Sequence, residues 1–252
     1  MVSLGLAETR ARAQALLLAG RVRVGEGDGA RNDRKPGDMV DAATHVTLTA
    51  VAPFVSRGGE KLVAALDAFA VDPAGRVCLD VGASTGGFTD CLLRRGASRV
   101  YALDVGRGQL AASLRSDPRV VSLERTHARR LDPSGPDAVP LPDAPDLAVI
   151  DVSFISLTRV LGAVAARLAR PGDIVALVKP QFEAGPRAAA KGVVRDPAVH
   201  RDVLDRVRAH AEGIGLRVTG EVPSPLLGPA GNREFFLHLV VGALADTAEP
   251  AS

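Results

Sequence analysis

The chain has 252 residues, enough for one α/β domain and a small extra module, because single domains usually contain about 100–200 residues. Its 46% hydrophobic and 24% charged residues are typical of a globular protein and argue against extensive disorder. The net charge of +2 does not by itself predict a polyanionic partner. Neither a secretory leader nor an apolar run of the roughly 20 residues that a membrane span needs is present, so we expect a cytoplasmic protein with no membrane partner.

The first 52 residues predict a small α+β unit. Its predicted elements are a helix over 5–18, a strand over 21–24, a polar loop over 25–38 and a second strand over 45–49. Thr9 is the expected N-cap of the helix, and Gly20 is its expected stop. The predicted organisation is a first domain over 1–52, a linker over 53–56, a second domain over 57–245 and a frayed tail over 246–252.

From residue 57 onward, strands alternate with helices, which is typical of a parallel sheet with crossover connections. Strands are predicted at 76–81, 99–104, 119–123, 146–151, 173–178, 216–222 and 234–241. Helices are predicted at 58–69, 87–95, 108–115, 156–169 and 197–214. The predicted fold class is therefore α/β, a Rossmann-like, seven-stranded, doubly wound sheet whose last two strands form a hairpin. Cys78 and Cys91 fall within this pattern and are expected to pack in the core.

A glycine-rich turn joins the first strand of this domain to its helix, in the run Leu79-Asp80-Val81-Gly82-Ala83-Ser84-Thr85-Gly86-Gly87-Phe88. Glycines at such a turn let the backbone approach a ligand at the carboxyl edge of the sheet. The run has neither the Gly-x-Gly-x-x-Gly dinucleotide pattern nor the Gly-Lys-Ser/Thr ending of a triphosphate loop. Asp80 would repel a pyrophosphate but suits a ligand with a positive centre, such as S-adenosylmethionine. Asp104 ends the next strand, where a carboxylate can accept hydrogen bonds from both ribose hydroxyls.

Lysine is rare in this chain: of 31 basic residues only four are Lys, namely Lys35, Lys61, Lys179 and Lys191. A Lys at a strand end therefore suggests chemistry that Arg cannot perform, since a desolvated Lys can lose its proton. Lys179 follows the fifth predicted strand and Asp151 ends the fourth, so both should open onto the same cleft. Lys61 lies in the first turn of a predicted helix, and Glu234 opens the last strand.

Two amines and two carboxylates at one sheet edge suit methyl transfer to a ribose 2′-hydroxyl. That hydroxyl is a poor nucleophile, so it must be positioned in line with the methyl donor and must lose its proton. A desolvated lysine beside a second ammonium can orient the hydroxyl and accept the proton, while the carboxylates hold both amines. Structural ion pairs are the alternative for each of these residues.

The motifs as a set resemble the TlyA family. They are Val55-Ser-Arg-Gly-Gly-Glu-Lys-Leu62, the glycine-rich turn, Asp151-Val-Ser-Phe-Ile-Ser156, Val178-Lys-Pro-Gln-Phe-Glu183 and Gly231-Asn-Arg-Glu-Phe-Phe236. Members of that family are hemolysin-like proteins that resemble FtsJ-type ribosomal RNA methyltransferases preceded by an S4 RNA-binding domain. The resemblance extends over nearly the whole chain.

This resemblance implies S-adenosylmethionine-dependent 2′-O-methylation of cytidine in ribosomal RNA, either free or in assembled subunits. It places the family's catalytic tetrad on Lys61, Asp151, Lys179 and Glu234. It also places the cofactor on the glycine-rich turn, on Asp104 and on the stretch from Glu124 to His127. The expected cofactor-binding residues are Asp80, Gly82, Ser84, Gly86, Phe88, Asp104 and His127, and no metal site is expected.

The front segment is similar to an S4 domain, in the run from Thr9 to Val24 followed by Lys35-Pro-Gly37. Family members usually begin with a further helix, so we expect either a start upstream of Met1 or a shortened module. The segment 1–57 carries eight Lys or Arg against six Asp or Glu, a weak basic excess. The expected phosphate contacts are Arg10, Arg12, Arg21 and Arg23, and a purely solvated role is the alternative for each.

Two other functions remain open at the level of sequence. A base (amino) methyltransferase would place an Asp/Asn-Pro-Pro-aromatic turn where this chain has Asp151-Val-Ser-Phe154, and the two prolines are missing. A membrane-active hemolysin-like protein or a purely RNA-binding protein is the second alternative. Membrane activity is disfavoured because aromatic residues total only 3% and no basic amphipathic helix with aromatic anchors is present.

Overall fold

The computed structural model describes residues 1–18, 22–26, 31, 37–41, 43–48, 53–185, 192–228 and 231–242. The chain forms two compact units, Met1–Pro53 and Phe54–Ser252. Arg21, Gly20 and the predicted tail over 246–252 lie outside the described residues, as do parts of the loop predicted over 25–38.

The first unit contains one helix and a two-stranded antiparallel sheet. Its elements are α1 (Arg10–Leu18), β1 (Val22–Val24) and β2 (Val46–Leu48). The helix begins after Thr9, whose Oγ1 accepts a hydrogen bond from the Arg12 backbone N–H at 3.1 Å, as expected of an N-cap. It begins later than predicted because Gly5 has a φ of +68°, which a right-handed helix cannot contain.

The second unit is built on a seven-stranded sheet with the order β5-β4-β3-β6-β7-β9-β8. Its strands are β3 (Val77–Val81), β4 (Arg99–Leu103), β5 (Val120–Leu123), β6 (Leu147–Ile150), β7 (Gly172–Val178), β8 (Leu216–Pro223) and β9 (Phe235–Val241). The five strands β3 to β7 are parallel, whereas β9 pairs antiparallel with both β7 and β8. The predicted doubly wound sheet and its final hairpin are confirmed.

Helices cover both faces of this sheet. They are α2 (Gly58–Phe69), α3 (Gly87–Arg94), α4 (Ala112–Arg115), α5 (Leu161–Arg167), α6 (Pro180–Glu183) and α7 (Pro197–Gly213). Helix α4 is shorter than predicted because Gly108 has a φ of +65° and Ala111 is extended. Helix α5 is preceded by a separate 3₁₀ turn at Leu157–Arg159. Helix α6 was not predicted; Pro180 begins it, a position where the missing proline N–H has no cost.

Each face of the sheet has its own apolar core. Leu62 and Leu66 of α2 and Leu92 of α3 are buried on one face, and Leu161 of α5 and Val203 of α7 are buried on the other. Strand β6 is buried along its whole length, as central parallel strands are.

The two cysteines belong to the apolar core, as predicted. Cys78 and Cys91 are buried free thiols, and burial raises the pKa of each to about 12. Neither thiol therefore ionises near neutral pH, so neither can serve as a nucleophile.

The strand order fixes where a ligand can bind. The connections run outward from β3 to β4 and β5 on one side, and from β6 to β7 on the other. Between β3 and β6 the connections diverge, and the crevice at their carboxyl ends is where open α/β sheets bind ligands. The residues that directly follow these two strands, Gly82 and Asp151, therefore flank the expected site.

Candidate active site

Gly82 is required where β3 meets the turn that follows it. Its φ is +90°, and a Cβ at this position would lie 2.5 Å from the Asp151 carbonyl oxygen. Only glycine allows the backbone after β3 to approach the backbone after β6 this closely. The close approach brings the glycine-rich turn and Asp151 to one edge of the sheet.

Asp104, directly after β4, organises the next part of the edge. One carboxylate oxygen accepts the Ser84 backbone N–H at 2.8 Å, and the other accepts the Gly106 N–H at 2.6 Å. The backbone of Thr126 donates to the Asp104 carbonyl at 3.0 Å, which anchors the segment leading to His127. Each Asp104 oxygen retains a further lone pair for a ligand hydroxyl.

Two cavities lie along this edge. The lysine cavity, of about 420 Å³, includes Lys61, Arg57, Gly82, Ser84, Phe88 and Asp151 in its wall. The Asp104 cavity, of about 570 Å³, is lined by Gly82, Ser84, Asp104, His127, Asp151 and Ser153 among others. Both volumes lie in the usual range of small-ligand pockets. Gly82, Ser84 and Asp151 line both cavities, so the two are neighbours across these residues.

The Asp80 side chain is buried, whereas the sequence predicted that it would contact the cofactor. Its side chain is 0% exposed, and Oδ2 accepts a hydrogen bond from the Thr89 hydroxyl at 2.7 Å. Burial raises the pKa of Asp80 to about 7, against the hydrogen bond from Thr89, which lowers it. The carboxyl is therefore buried and lines neither cavity. Asp151 is the carboxylate that lines both cavities.

Gly86 and Phe88 also serve packing. A side chain at Gly86, whose φ is +97°, would overlap Leu110 and Leu114. Gly86 is buried at the start of α3 and lines neither cavity. Phe88 is buried, with its ring centroid 6.2 Å from that of Phe236, and contributes only to the wall of the lysine cavity.

Lys61 and Glu234 form a buried ion pair. Lys61 Nζ lies 2.5 Å from Glu234 Oε2, and the two residues are 7% and 2% exposed. Lys61 projects from the first turn of α2, whereas Glu234 directly precedes β9, and 173 positions separate them in the chain. A side chain at Gly228 would overlap Glu234 Oε1, so that glycine makes room for the carboxylate. Among the described residues, Oε1 has no hydrogen-bond partner.

Lys179 and Asp151 form a second ion pair at the ends of β7 and β6. Lys179 Nζ lies 2.5 Å from Asp151 Oδ1 and donates a hydrogen bond to Ser153 Oγ at 2.9 Å. The side chains of Lys179 and Asp151 are 12% and 24% exposed, so this pair is more open than the first. The structure thus arranges the four predicted catalytic residues as two amine–carboxylate pairs, and one member of each pair lines the lysine cavity.

A further set of contacts joins the segments 151–157 and 179–183, which we call the clasp. Ser156 Oγ donates to Glu183 Oε2 at 2.6 Å, and the Leu157 backbone N–H donates to Glu183 Oε1 at 2.8 Å. The rings of Phe154 and Phe182 lie 4.9 Å apart. The motifs contain these residues, but sequence reasoning gave no role to Ser153, Glu183 or Phe182.

The predicted RNA contacts lie in the first unit. Arg10 and Arg12 are exposed on α1, and Arg23 is exposed on β1. Arg21, the fourth predicted contact, is outside the described residues. In the part of the chain that the structure describes, no helix has the length and apolar character to cross a membrane.

Comparison with known proteins gives the family. A model of the FtsJ-like methyltransferase family matches residues 54–240. The 16S/23S rRNA (cytidine-2'-O)-methyltransferase TlyA of Mycobacterium tuberculosis is 49% identical over 242 residues, which are 95% of this chain and 87% of that protein. Hemolysin A of Brachyspira hyodysenteriae is 37% identical over 94% of this chain and 96% of its own length.

A solved structure extends the likeness to three dimensions. The structure of a protein named as a hemolysin from Streptococcus thermophilus matches with a TM-score of 0.72 at 42% identity, and the match covers 96% of this chain and 86% of that one. These matches agree with the sheet order and with the two lysine–carboxylate pairs described above. The chain therefore belongs to the TlyA family of FtsJ-like methyltransferases.

Proposed function

We propose that this protein transfers the methyl group of S-adenosylmethionine to the 2′-hydroxyl of a cytidine in ribosomal RNA. The observation that carries the proposal is that Lys61 and Asp151, one member of each ion pair, line the same cavity. That cavity adjoins the Asp104 cavity across Gly82, Ser84 and Asp151. A methyl donor in one and a sugar hydroxyl in the other would meet beside the two amines.

The residues of the Asp104 cavity fit S-adenosylmethionine. Asp104 has lone pairs left for ribose hydroxyls, because each oxygen accepts only one backbone N–H. His127 lines the same cavity and would contact the adenine side. Asp151 is the carboxylate available to balance positive charge where the cavities meet. When bound, S-adenosylmethionine supplies a methyl group activated by a sulfonium centre.

The two amines have different surroundings and hence different roles. Lys61 is held by Glu234 in a buried pair, which suits a fixed ammonium that orients an oxygen. Lys179 instead pairs with Asp151, which is 24% exposed and lines both cavities, and it also binds Ser153. We assign proton acceptance from the 2′-hydroxyl to Lys179, with Asp151 stabilising the ammonium that forms.

An RNA acceptor is supported by the surface beside these residues. Phe154 lines the Asp104 cavity and is 90% exposed, so its ring is available to stack on an unpaired base. The choice of cytidine and of ribosomal RNA follows the name of the M. tuberculosis relative. Methyl transfer to free RNA and to assembled subunits, measured side by side, identifies the better substrate.

The competing base methylation is disfavoured by the two lysines. An exocyclic amine needs no lysine to remove a proton before attack, and the chain lacks the prolines that shape a base-amine turn. Alkaline hydrolysis of the product RNA separates the two reactions, because a 2′-O-methyl group blocks cleavage at its linkage and a base methyl group does not.

The test uses labelled S-adenosylmethionine and unmodified ribosomal RNA. Lys179→Ala should abolish methyl transfer while cofactor binding, measured by calorimetry, persists. Lys179→Arg should not restore transfer, because a guanidinium cannot give up its proton to become a base. Arg208→Ala, which removes the 2.8 Å pair with Glu221 on the outer strand β8, is the matched control and should transfer normally.

Three results would contradict the proposal. If the label is found in a base and alkaline cleavage of the RNA is unaffected, the reaction is base methylation and not 2′-O-methylation. Turnover by Lys179→Arg close to that of the unaltered protein would remove proton acceptance from the role of this lysine. Absence of transfer by the unaltered protein on both free RNA and subunits would overturn the assignment itself.

A further inference from the structure

Lys179 has two polar neighbours that act on it differently. Asp151 Oδ1 lies 2.5 Å from Nζ and carries the charge that balances the ammonium. Ser153 Oγ lies 2.9 Å from Nζ and accepts a hydrogen bond. Ser153 is therefore an uncharged acceptor that sets the direction of one Nζ–H bond beside the carboxylate.

Direction matters for an amine that acts as a base. A neutral amine carries two N–H bonds and one lone pair in a tetrahedral arrangement, and only the lone pair can take a proton. A hydrogen bond depends strongly on angle, so a contact to a second acceptor besides the carboxylate limits rotation about the Cε–Nζ bond. Fixing one N–H bond on Ser153 and holding the group beside Asp151 restricts where the lone pair can point.

Ser153 is itself held in place. It lies in the clasp between Asp151, anchored by its backbone N–H to the Val81 carbonyl at 2.9 Å, and Ser156, bound to Glu183. Phe154, the next residue, has a φ of +65° and contacts Phe182. Left-handed backbone in a bulky residue costs energy and persists only where the surroundings impose it. The Ser153 hydroxyl is thus presented to Lys179 by a constrained backbone.

We propose that Ser153 is a positioning residue, which orients the Lys179 amine so that its lone pair faces the acceptor hydroxyl at the meeting point of the two cavities. This inference rests on the proposed function and adds a residue to it. Ser153 neither takes the proton nor touches the methyl group. It also lines the Asp104 cavity, but the effect assigned to it here is exerted through Lys179.

The experiment compares Ser153→Ala, Ser153→Thr and the unaltered protein in the methyl-transfer assay across pH. Ser153→Ala should lower kcat at its pH plateau on the order of 10- to 100-fold, the loss typical of a misoriented catalytic group. KM for RNA and for S-adenosylmethionine should stay within about twofold, because lost orientation affects the transition state and not binding. Ser153→Thr keeps the hydroxyl and should restore kcat.

The pH profile separates positioning from a general structural role. The Ser153 oxygen binds an ammonium more strongly than an amine, since charge-assisted hydrogen bonds are stronger. Its removal should therefore move the acidic limb of the kcat profile to lower pH as the plateau falls. Ser134→Ala removes another exposed hydroxyl, one bound to Asp132 at 2.7 Å, and should change neither quantity.

The outcomes are distinct. Transfer by the unaltered protein with an equally active Ser153→Ala would overturn the positioning role and leave the proposed function standing. A rate that falls equally at every pH, or a Ser153→Thr variant as slow as Ser153→Ala, would also overturn it. No transfer by the unaltered protein would overturn the proposed function and this inference together.

Discussion

A carboxyl group buried beneath the glycine-rich turn links this protein's stability to pH. Burial raises the pKa of Asp80 to about 7, from an ordinary value of 3.8. Between these two values the folded chain keeps a proton that the unfolded chain has lost. The free energy of unfolding therefore falls as pH rises through this window, and the loss is complete above about pH 7.

Asp80→Asn should remove this dependence, since the amide keeps an oxygen acceptor for Thr89 and carries no charge at any pH. The free energy of unfolding is measured in urea at pH 4.5 and at pH 8. From the lower to the higher pH, the difference between the variant and the unaltered protein should shift in favour of the variant, by on the order of 4 kcal/mol at most. Asp205→Asn, at an exposed site on α7, is the control and should give a constant difference. If the unfolding free energies of Asp80→Asn and the unaltered protein differ by the same amount at both pH values, Asp80 ionises normally.

Between elements, the clasp fixes how the ends of β6 and β7 meet. Glu183 uses both carboxylate oxygens, one for Ser156 Oγ and one for the Leu157 backbone N–H. Asp151 and Ser153 precede these donors in the same segment, and Lys179 precedes Glu183. A change at Glu183 should therefore reach Lys179 through the backbone without touching either cavity.

Glu183→Gln leaves one acceptor oxygen for two donors, so one hydrogen bond is lost or weakened. We expect the free energy of unfolding to fall by about 1–3 kcal/mol, the usual cost for a bond to a charged group. We also expect kcat to fall with little change in KM. Glu221→Gln weakens an exposed pair with Arg208 and should cost less than about 1 kcal/mol, with kcat unchanged. Equal effects of the two changes would show that the clasp does not position the site.

At the level of the whole molecule, affinity for RNA must come from particular basic residues. The net charge of +2 gives little general attraction to a polyanion. Arg10 and Arg12 are exposed in the first unit, and the two amine–carboxylate pairs proposed to act in catalysis lie in the second. RNA binding and methyl transfer should therefore be separable by substitution.

The double variant Arg10→Ala/Arg12→Ala should bind ribosomal RNA more weakly, and the slope of log Kd against log salt should fall by about 2, one for each lost phosphate contact. At saturating RNA, kcat should be retained. Arg217→Ala is the control for a lost surface charge. Strand β8 runs parallel to β7, so its start lies at the amino ends of the parallel strands, away from the site at their carboxyl ends. An unchanged salt slope in the double variant would exclude these arginines as phosphate contacts.

Much of the second unit could be predicted because its local signals agree with one another. Every predicted strand is present within about one residue of its predicted ends, since apolar runs, turn glycines and helix caps all mark the same boundaries. The errors fall where backbone geometry overrides pattern. Gly108 and Ala111 delay α4, and Pro180 starts a short helix that no periodicity announces.

The sequence by itself determined the sheet, its ligand-binding edge and the rarity of lysine that drew attention to Lys61 and Lys179, because these depend on local pattern and composition. Only the tertiary structure decided which amine meets which carboxylate, that Asp80 is buried, and that Ser153 binds Lys179. Such facts depend on side-chain direction and on contacts between distant positions, 173 residues apart for Lys61 and Glu234. A carboxylate at a strand end faces either the core or the cleft according to packing, which no local pattern records.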